Sequence, residues 1–301
     1  MWDWMKKMKK IISISLIKNL VFYFFLVVLA ISMLLPLIWM LNISLKPSGQ
    51  IYEYPPSLIP KTFVVGNYVT AWVGADFSLY FKNTTIYTLV SVIFILFFSS
   101  LAGYTFARLR FPGRDILFLI ILLTMMIPYQ VTLIPLFLIV KKFPLAGGNN
   151  IFGIGGKGLI DTYAGLIIPG LVPAFGIFLF RQFFLGLPGE LEDAARIDGC
   201  SEFRIYWQIM LPLTKPALIL LGIFSFQGKW NDLLWPLIVT TTKRMRTLQI
   251  GLAVFQGEQR SGAQWNEMMA AGLVVIIPVI IIFLIGQKYF TKGVAMTGIK
   301  G

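Results

Sequence analysis

The sequence predicts an all-α polytopic membrane protein with six transmembrane helices. Of the 301 residues, 57% are hydrophobic and only 13% are charged, a balance that a soluble domain does not show. Apolar stretches long enough to cross a bilayer recur along the chain, with short polar or basic segments between them. The net charge of +13 is explained by the positive-inside bias of membrane proteins, so we expect no nucleic acid partner.

The residues that carry most metal and disulfide chemistry are almost absent. The chain has no histidine and one cysteine, which excludes a disulfide within it and argues against a Cys/His zinc site. We therefore expect no metal in this chain.

The chain opens on a basic segment and a first span. Residues 1–19 carry apolar side chains at helical spacing with lysines between them, which favours a basic amphipathic helix on the cytoplasmic leaflet. A frayed tail whose charges set the orientation is the alternative. The first span is expected at about residues 20–43, as an uncleaved anchor, because it is too long for a signal-peptide core.

Residues 20–301 are expected to form one transmembrane domain. In the third span, Pro128 and Pro135 predict a kink, because proline interrupts backbone hydrogen bonding. Residues 141–161 contain a Gly-Gly-Lys-Gly run without the spacing of a phosphate loop, so a flexible external loop is expected there. Lysine and arginine are modestly enriched on the side that would place both termini in the cytoplasm. The five further spans are expected at about residues 85–107, 116–140, 163–184, 216–239 and 270–290.

A polar interval at residues 187–215 has the pattern of folded structure between two spans. Three carboxylates follow Pro188-Gly189 and suit the first turn of a helix, where the dipole is positive. Gly199 allows a sharp turn, and Ser201 can cap a second helix that ends at Leu211-Pro212. We therefore expect a helix-turn-helix with one apolar face, and an ordinary loop is the alternative. That face would be formed by Phe203, Tyr206, Trp207 and Met210.

This interval resembles the "EAA" loop of ABC-importer permeases. Asp193-Ala194-Ala195 stands at the Glu-Ala-Ala positions, Gly199 at the family's glycine and Leu211-Pro212 at its Leu-Pro, with Asp193 in place of the usual Glu. In that family the loop is the cytoplasmic coupling helix that docks onto the ATPase. The coupling residues implied by the resemblance are Glu192, Asp193, Ala194, Ala195, Asp198, Gly199 and Phe203.

The resemblance extends over nearly the whole chain to the carbohydrate-uptake branch of the family. Residues 104–114 resemble its Y-A-x-x-R-x-x-F-x-G-R segment, and residues 230–236 its W-N-D-x-x-W-P segment. The resemblance implies a type I ABC-importer permease fold in the bacterial cytoplasmic membrane. It also implies a second homologous permease subunit, two ATPase subunits that carry ATP and Mg, and an extracytoplasmic solute-binding protein.

This chain itself is then expected to bind no cofactor and to catalyse no reaction. The resemblance implies a carbohydrate substrate, and an oligosaccharide is expected. A polyol phosphate or another non-sugar solute is the alternative. A passive channel would not explain the coupling loop. An intramembrane enzyme would need catalytic groups within reach of one another, and Asp232 is the only carboxylate well inside a predicted span.

Polar residues in the predicted fifth span and at the third-span kink suggest a substrate path. Ionisable residues inside a span usually face the bundle interior or a water-filled path. Lys229 is explained by an ion pair, with Asp232 three residues on or with a carboxylate of another subunit. Alternatively it faces the path and meets an anionic substrate such as a uronic-acid oligosaccharide. The candidate path residues are Gln130, Gln227, Lys229, Trp230, Asn231, Asp232 and Trp235.

Overall fold

A computed structural model describes residues 2–74, 76–258 and 264–297, with side-chain environments for 16–74, 76–257 and 264–287. The described residues form helices and their connections, without a strand. Two 3₁₀ turns, Ile168–Gly170 and Lys243–Met245, and one π-helical segment, Ile205–Met210, complete the element order. The α-helices are α1 Trp2–Ser44, α2 Ser48–Ile51, α3 Gly66–Gly74, α4 Phe77–Arg108, α5 Arg114–Thr124, α6 Tyr129–Lys141, α7 Tyr163–Ile167, α8 Ala174–Leu185, α9 Glu190–Ile197, α10 Glu202–Arg204, α11 Leu211–Leu213, α12 Lys215–Trp230, α13 Leu234–Val239, α14 Leu248–Glu258 and α15 Trp265–Thr297.

The described residues divide into two compact units. The first comprises those within 1–71 and 259–274, and the second those within 72–258 and 275–301. Each unit has its own set of polar and apolar contacts.

In the first unit, side-chain amides satisfy the carbonyls that the end of α1 leaves free. Asn67 donates through Nδ2 to the carbonyls of Ser44 and Lys46, at 2.9 Å each, and Asn266 donates to the carbonyl of Lys46 at 3.2 Å. The ammonium of the buried Lys46 donates to the carbonyl of Ser57 at 2.6 Å. Because helix ends always leave such groups without intrahelical partners, this cluster fixes where α1 stops and the following loop begins.

Helix α1 runs without a break from the predicted surface segment into the first predicted span. The part long and apolar enough to cross a membrane is Leu16–Ser44. Side chains of residues 2–15 lie outside those described, so the amphipathic character of this segment stays a prediction.

The described chain contains three helical segments that could each cross a membrane alone, or up to six crossings if bent helix pairs count as one span. The second and sixth predicted spans correspond to α4 and α15, which are longer than expected. The third and fourth predicted spans are each built from two helical pieces with a bend at the break: Arg114–Thr124 with Tyr129–Lys141 (105°), and Tyr163–Gly170 with Ala174–Leu185 (46°). The third bent pair, Glu202–Leu213 with Lys215–Trp230 (79°), joins the predicted coupling loop to the beginning of the fifth predicted span.

Prolines and polar residues account for the breaks. The break in the third span lies at the predicted place, because Pro128 precedes the first residue of α6, but the bend is far sharper than a kink. The fourth predicted span is interrupted between Pro169 and Pro173, since neither proline can donate a helical hydrogen bond. The fifth predicted span, residues 216–239, is interrupted between Trp230 and Leu234 as well.

The second unit is organised around the contact of α4 with α8. A Cβ added to Gly103 would lie 2.5 Å from the Cβ of Phe180, so only glycine permits this approach of the two helices. Tyr104 and Phe184 pack edge to face beside it, with ring centroids 5.4 Å apart. Tyr206 also contacts Tyr104, which joins the predicted coupling loop to the same apolar core.

The glycine-rich segment at 141–161 forms an ordered set of turns, which corrects the expected flexible loop. Asn149 donates to the carbonyls of Lys141 and Phe143 at 2.9 and 3.0 Å, and its Oδ1 accepts from the N–H of Gly156 at 2.8 Å. The amide side chain thus replaces backbone pairing across the loop.

Asp161 joins this segment to the connection after α13. Its carboxylate accepts from the N–H groups of Thr241 and Thr242 at 3.0 Å each and from the Thr242 hydroxyl at 2.7 Å. Burial alone would raise the pKa of Asp161, but the hydrogen bonds from Thr242 and Thr241 together outweigh it and lower the pKa. The carboxylate therefore stabilises this connection in its ionised form.

Candidate functional site

The first arm of the predicted coupling loop is α9, and its two faces differ. Glu192 and Ala195 are buried, with 4% and 5% of their surfaces exposed. Asp193 and Ala194 are exposed, and Ile197 is 86% exposed. Of the predicted coupling residues, the structure therefore turns Glu192 and Ala195 towards the protein's own core and Asp193 and Ala194 outward. Ile197, which the sequence reasoning did not single out, extends the outward face.

The turn of the loop lies at Asp198-Gly199, as expected from the glycine. Gly199 has φ 78°, a left-handed conformation that costs other residues energy. No atom lies within 4 Å of a Cβ added at position 199. Glycine is therefore favoured here by the backbone conformation and not by crowding. The N–H of Cys200 donates to the carbonyl of Ala195 at 3.0 Å and closes the turn. Both Asp198 and Gly199 are exposed.

The second arm runs from Glu202 to Leu213, close to the end predicted at Leu211-Pro212. The expected single apolar face is wrong. Tyr206 and Met210 are buried in the core, whereas Phe203 and Trp207 are exposed and stack with an interplanar angle of 11°. Phe203 and Trp207 are four positions apart, as are Tyr206 and Met210, so each pair lies along one edge of the predicted apolar stripe. The core covers only the edge that carries Tyr206 and Met210.

Ser201 stands at the N-cap of this arm, but its side chain makes no capping hydrogen bond. Its predicted place is therefore correct, while its predicted hydrogen bond is absent.

Arg108, at the end of α4, clamps the base of the loop. Its Nη2 donates to the carbonyls of Phe184 and Leu187 at 2.6 and 2.5 Å, and its Nε lies 3.7 Å from Oε2 of Glu192. The end of α8 and the beginning of α9 are thereby attached to α4 through one guanidinium. This contact gives Glu192 an internal role that its place in the motif does not reveal.

Arg196 joins the two arms across the turn. It contacts Asp193 at 3.1 Å and Glu202 at 2.7 Å. The hydrogen bond with Glu202 raises the pKa of Arg196 above its usual value. Because these side chains are substantially exposed, the pairs orient the arms more than they stabilise them.

A cavity of about 490 Å³ lies in the second unit where three helix breaks meet. Tyr129 comes from the break between α5 and α6, Gly170 from the break between α7 and α8, and Lys229, Asp232 and Trp235 from the break between α12 and α13. Breaks within membrane spans expose backbone groups that a continuous helix would satisfy internally. Polar groups and aromatic rings are thus gathered in one place.

Tyr87 separates the two charged residues of this cavity. Lys229 Nζ donates to the Tyr87 hydroxyl at 3.1 Å, and that hydroxyl donates to Oδ2 of Asp232 at 2.7 Å. The remaining carboxylate oxygen accepts from the N–H of Trp235 at 3.4 Å. A direct ion pair between Lys229 and Asp232 was expected on one helical face; no such pair forms among the described residues, because α12 ends at Trp230, before Asp232.

The other predicted path residues lie outside this cavity's lining. Gln130, Gln227 and Asn231 are exposed, and Asn231 Oδ1 accepts from Gln249 at 3.2 Å. Trp230 is buried, and its indole N–H donates to the carbonyl of Val275 at 2.9 Å. The structure therefore groups only Lys229, Asp232 and Trp235 of the predicted set.

Sequence reasoning missed Tyr129 and Gly170 as cavity residues, and it missed Tyr87 as the residue that bridges Lys229 and Asp232. The proline and glycine content of the fourth span was a usable signal for Gly170. Nothing in the local sequence marks Tyr87, whose partner lies 142 positions away.

Comparison with known proteins gives one family and consistent relatives. Residues 95–296 match the family of binding-protein-dependent transport system inner membrane components. The chain is 39% identical to the arabinooligosaccharides transport system permease protein AraQ of Bacillus subtilis, over 92% of this chain and 94% of the relative. It is 33% identical to the sn-glycerol-3-phosphate transport system permease protein UgpE of Rhizobium meliloti, over 93% and 97%.

A solved structure confirms the predicted all-α permease fold. It is a bacterial ABC transporter involved in the import of the acidic polysaccharide alginate, with a TM-score of 0.76, 26% identity, and coverage of 91% of this chain and 96% of that one. These relatives are transport components and not enzymes. The chain therefore belongs to the family of binding-protein-dependent transport system inner membrane components, as an ABC-importer permease.

Proposed function

We propose that this chain is one of two homologous, non-identical permease subunits of an ATP-driven importer of oligosaccharides. The observation that carries the proposal is the 39% identity to a permease for arabinooligosaccharides, which extends over nearly the full length of both chains. The likeness to a chain of an alginate importer supports the same substrate class.

The loop at residues 187–215 docks onto one of two ATPase subunits, which bind ATP and Mg. Its outward surface combines the apolar side chains of Ile197, Phe203 and Trp207 with the small Ala194 and the charged Asp193. An apolar centre with a charged margin is typical of protein interfaces. The inward Glu192 and Ala195 are positioning residues that hold this surface on the ends of α4 and α8.

ATPase closure then moves the loop, and the Arg108 clamp transmits the movement to two spans at once. The attachment must be rigid for the movement of the loop to reach the spans. ATP can drive this movement only if the contacts between the ATPases and the loop differ between the two states of the importer. The N- and C-termini lie in the cytoplasm in this proposal, on the side of the loop. An extracytoplasmic solute-binding protein delivers the substrate on the opposite side.

Within this class, we propose an acidic oligosaccharide. Lys229 places a cation in the cavity formed by the helix breaks, and the alginate importer moves an acidic polysaccharide. A polyol phosphate is the second candidate, favoured by the same cation and by the 33% identity to a glycerol-3-phosphate permease.

The test is uptake by the complete importer in proteoliposomes, purified with the permease, ATPases and binding protein encoded beside it. The panel contains an arabinooligosaccharide, a uronic-acid oligosaccharide and glycerol phosphate, each with internal ATP or ADP. We expect uptake of an oligosaccharide with ATP and none with ADP. Uptake confined to glycerol phosphate would replace the oligosaccharide by the second candidate, and flux with ADP would refute an ATP-driven importer.

A further inference from the structure

We propose that the cavity at the three helix breaks is a subsite on this chain for an anionic oxygen group of the transported solute, with Lys229 as its cation. This inference rests on the proposed function and deepens it. It assigns the contact with the anionic group to this subunit.

The first argument is the incomplete set of partners of the Lys229 ammonium. An ammonium has three donors, and the described protein supplies one acceptor, the Tyr87 hydroxyl at 3.1 Å. The ammonium also lies 5.2 Å from the centroid of the Tyr87 ring. Two donors are left without an acceptor from the described residues, on a side chain that lines the cavity. An oxygen group of a solute in the cavity can accept hydrogen bonds from these two donors.

The second argument is that Asp232 does not neutralise Lys229 by contact. Its Oδ2 accepts from Tyr87 at 2.7 Å and its Oδ1 from the N–H of Trp235 at 3.4 Å. Tyr87 therefore orients the ammonium and the carboxylate without letting them touch. An anionic oxygen group of a solute can therefore contact Lys229 Nζ without breaking a direct ion pair with Asp232.

The third argument concerns the walls of the cavity. Its volume of about 490 Å³ falls within the usual range for small-molecule sites. Apolar side chains and the rings of Tyr129 and Trp235 form much of the lining. Aromatic and apolar walls with a few polar groups suit the C–H faces of a sugar or polyol that carries one charged group. Carboxylates of sugar acids and phosphate monoesters share this chemistry.

The structure offers two different ways to disturb the subsite. Lys229→Gln removes the charge. Gly170→Ala keeps it but displaces it, because a Cβ at position 170 would collide with Lys229 Nζ. Since the colliding atom ends a flexible side chain, the fold can accommodate the alanine by moving the ammonium. Lys82→Gln, at an exposed lysine on the same helix as Tyr87, is the matched control for loss of a positive charge.

The experiment measures binding to the assembled permease and ATPase subunits in lipid nanodiscs, without nucleotide and without the solute-binding protein, by saturation-transfer NMR. The probes are a uronic-acid trisaccharide, the neutral trisaccharide with hydroxymethyl groups in place of the carboxylates, and glycerol phosphate. Loss of one charged hydrogen bond predicts a Kd about tenfold or more weaker for an anionic probe in Lys229→Gln. Gly170→Ala should weaken it in the same direction, Lys229→Arg should retain binding better than either, and Lys82→Gln should match the parent.

Each outcome of this experiment either supports or overturns the proposed subsite. A loss confined to the uronic-acid probe assigns the subsite to sugar carboxylates, and a loss confined to glycerol phosphate assigns it to phosphate. Equal losses for the charged and neutral trisaccharides, or unchanged binding in both variants, would overturn the subsite. If Lys229→Gln fails to assemble, Gly170→Ala decides alone. The proposed function fails separately, by the absence of ATP-driven oligosaccharide uptake in the unmodified importer.

Discussion

Replacing Arg108 with methionine would test whether the coupling loop is fixed to the spans by one guanidinium. The substitution keeps most of the side chain's length and removes its charge and donors. Two carbonyls, of Phe184 and Leu187, then lose hydrogen bonds of 2.6 and 2.5 Å. The carboxylate of Glu192, with 5% of its side chain exposed, loses a cation 3.7 Å away.

The expected loss of stability can be worked from these contacts. A hydrogen bond to a charged group contributes about 1.5–3 kcal/mol, and breaking a buried pair costs about 3–5 kcal/mol. The contributions overlap because one group makes all the contacts, and water can reach the freed carbonyls. We therefore expect Arg108→Met to lower the free energy of unfolding by about 3 kcal/mol, or about 100-fold in the equilibrium constant.

Equilibrium unfolding in mixed micelles measures this difference. Arg110→Met is the matched control, because Arg110 is two positions away and exposed, and its change should stay within about 0.5 kcal/mol. Adding Glu192→Leu to Arg108→Met should recover part of the loss, because the orphaned carboxylate is removed as well. Equal stabilities of Arg108→Met and Arg110→Met would refute the clamp, and strictly additive effects would refute the contribution of Glu192.

Gly199→Val should abolish ATP-driven uptake while membrane insertion stays normal, because valine does not tolerate φ 78°. Gly189→Val, at a residue with φ −71°, is the control. Normal uptake by Gly199→Val would contradict the role of the turn. Asp161 has a lowered pKa, so its contribution to stability is complete above the ordinary pKa of 3.8 and is lost as the pH falls below that value through the folded pKa. Asp161→Asn should therefore flatten the decline of Tm as the pH falls below the ordinary pKa of 3.8, and parallel Tm profiles of the variant and the parent would rule this out.

The features that sequence predicted best are those set by local chemistry. The turn at Gly199 and the bend before Tyr129 follow from glycine and proline, whose backbone restrictions act wherever they occur. The predicted spans follow from the apolar composition averaged over a window of about 20 residues. The same averaging hid the interruption between Pro169 and Pro173, because apolar residues on both sides keep that window hydrophobic.

The features that sequence could not predict depend on distant partners or on which edge of a helix face the core covers. Tyr87 and Lys229 meet across 142 positions, and no periodicity within either helix signals that contact. The split between buried Tyr206 and exposed Trp207 depends on which edge of the apolar stripe the core covers. A test for 3.6-residue spacing assigns both residues to one face and does not distinguish the two edges of that face.

Cys200 gives the turn of the loop a practical consequence. It is the only cysteine of the sequence, it is free and partly exposed, and its N–H is held by the carbonyl of Ala195. A thiol-reactive spin label or fluorophore would therefore attach at a single site in the natural chain, with no other sulfhydryl to remove. Because the attachment point belongs to a hydrogen-bonded turn, the label would report displacement of the loop as a body, and its distance to a second label on another subunit could be followed through the transport cycle.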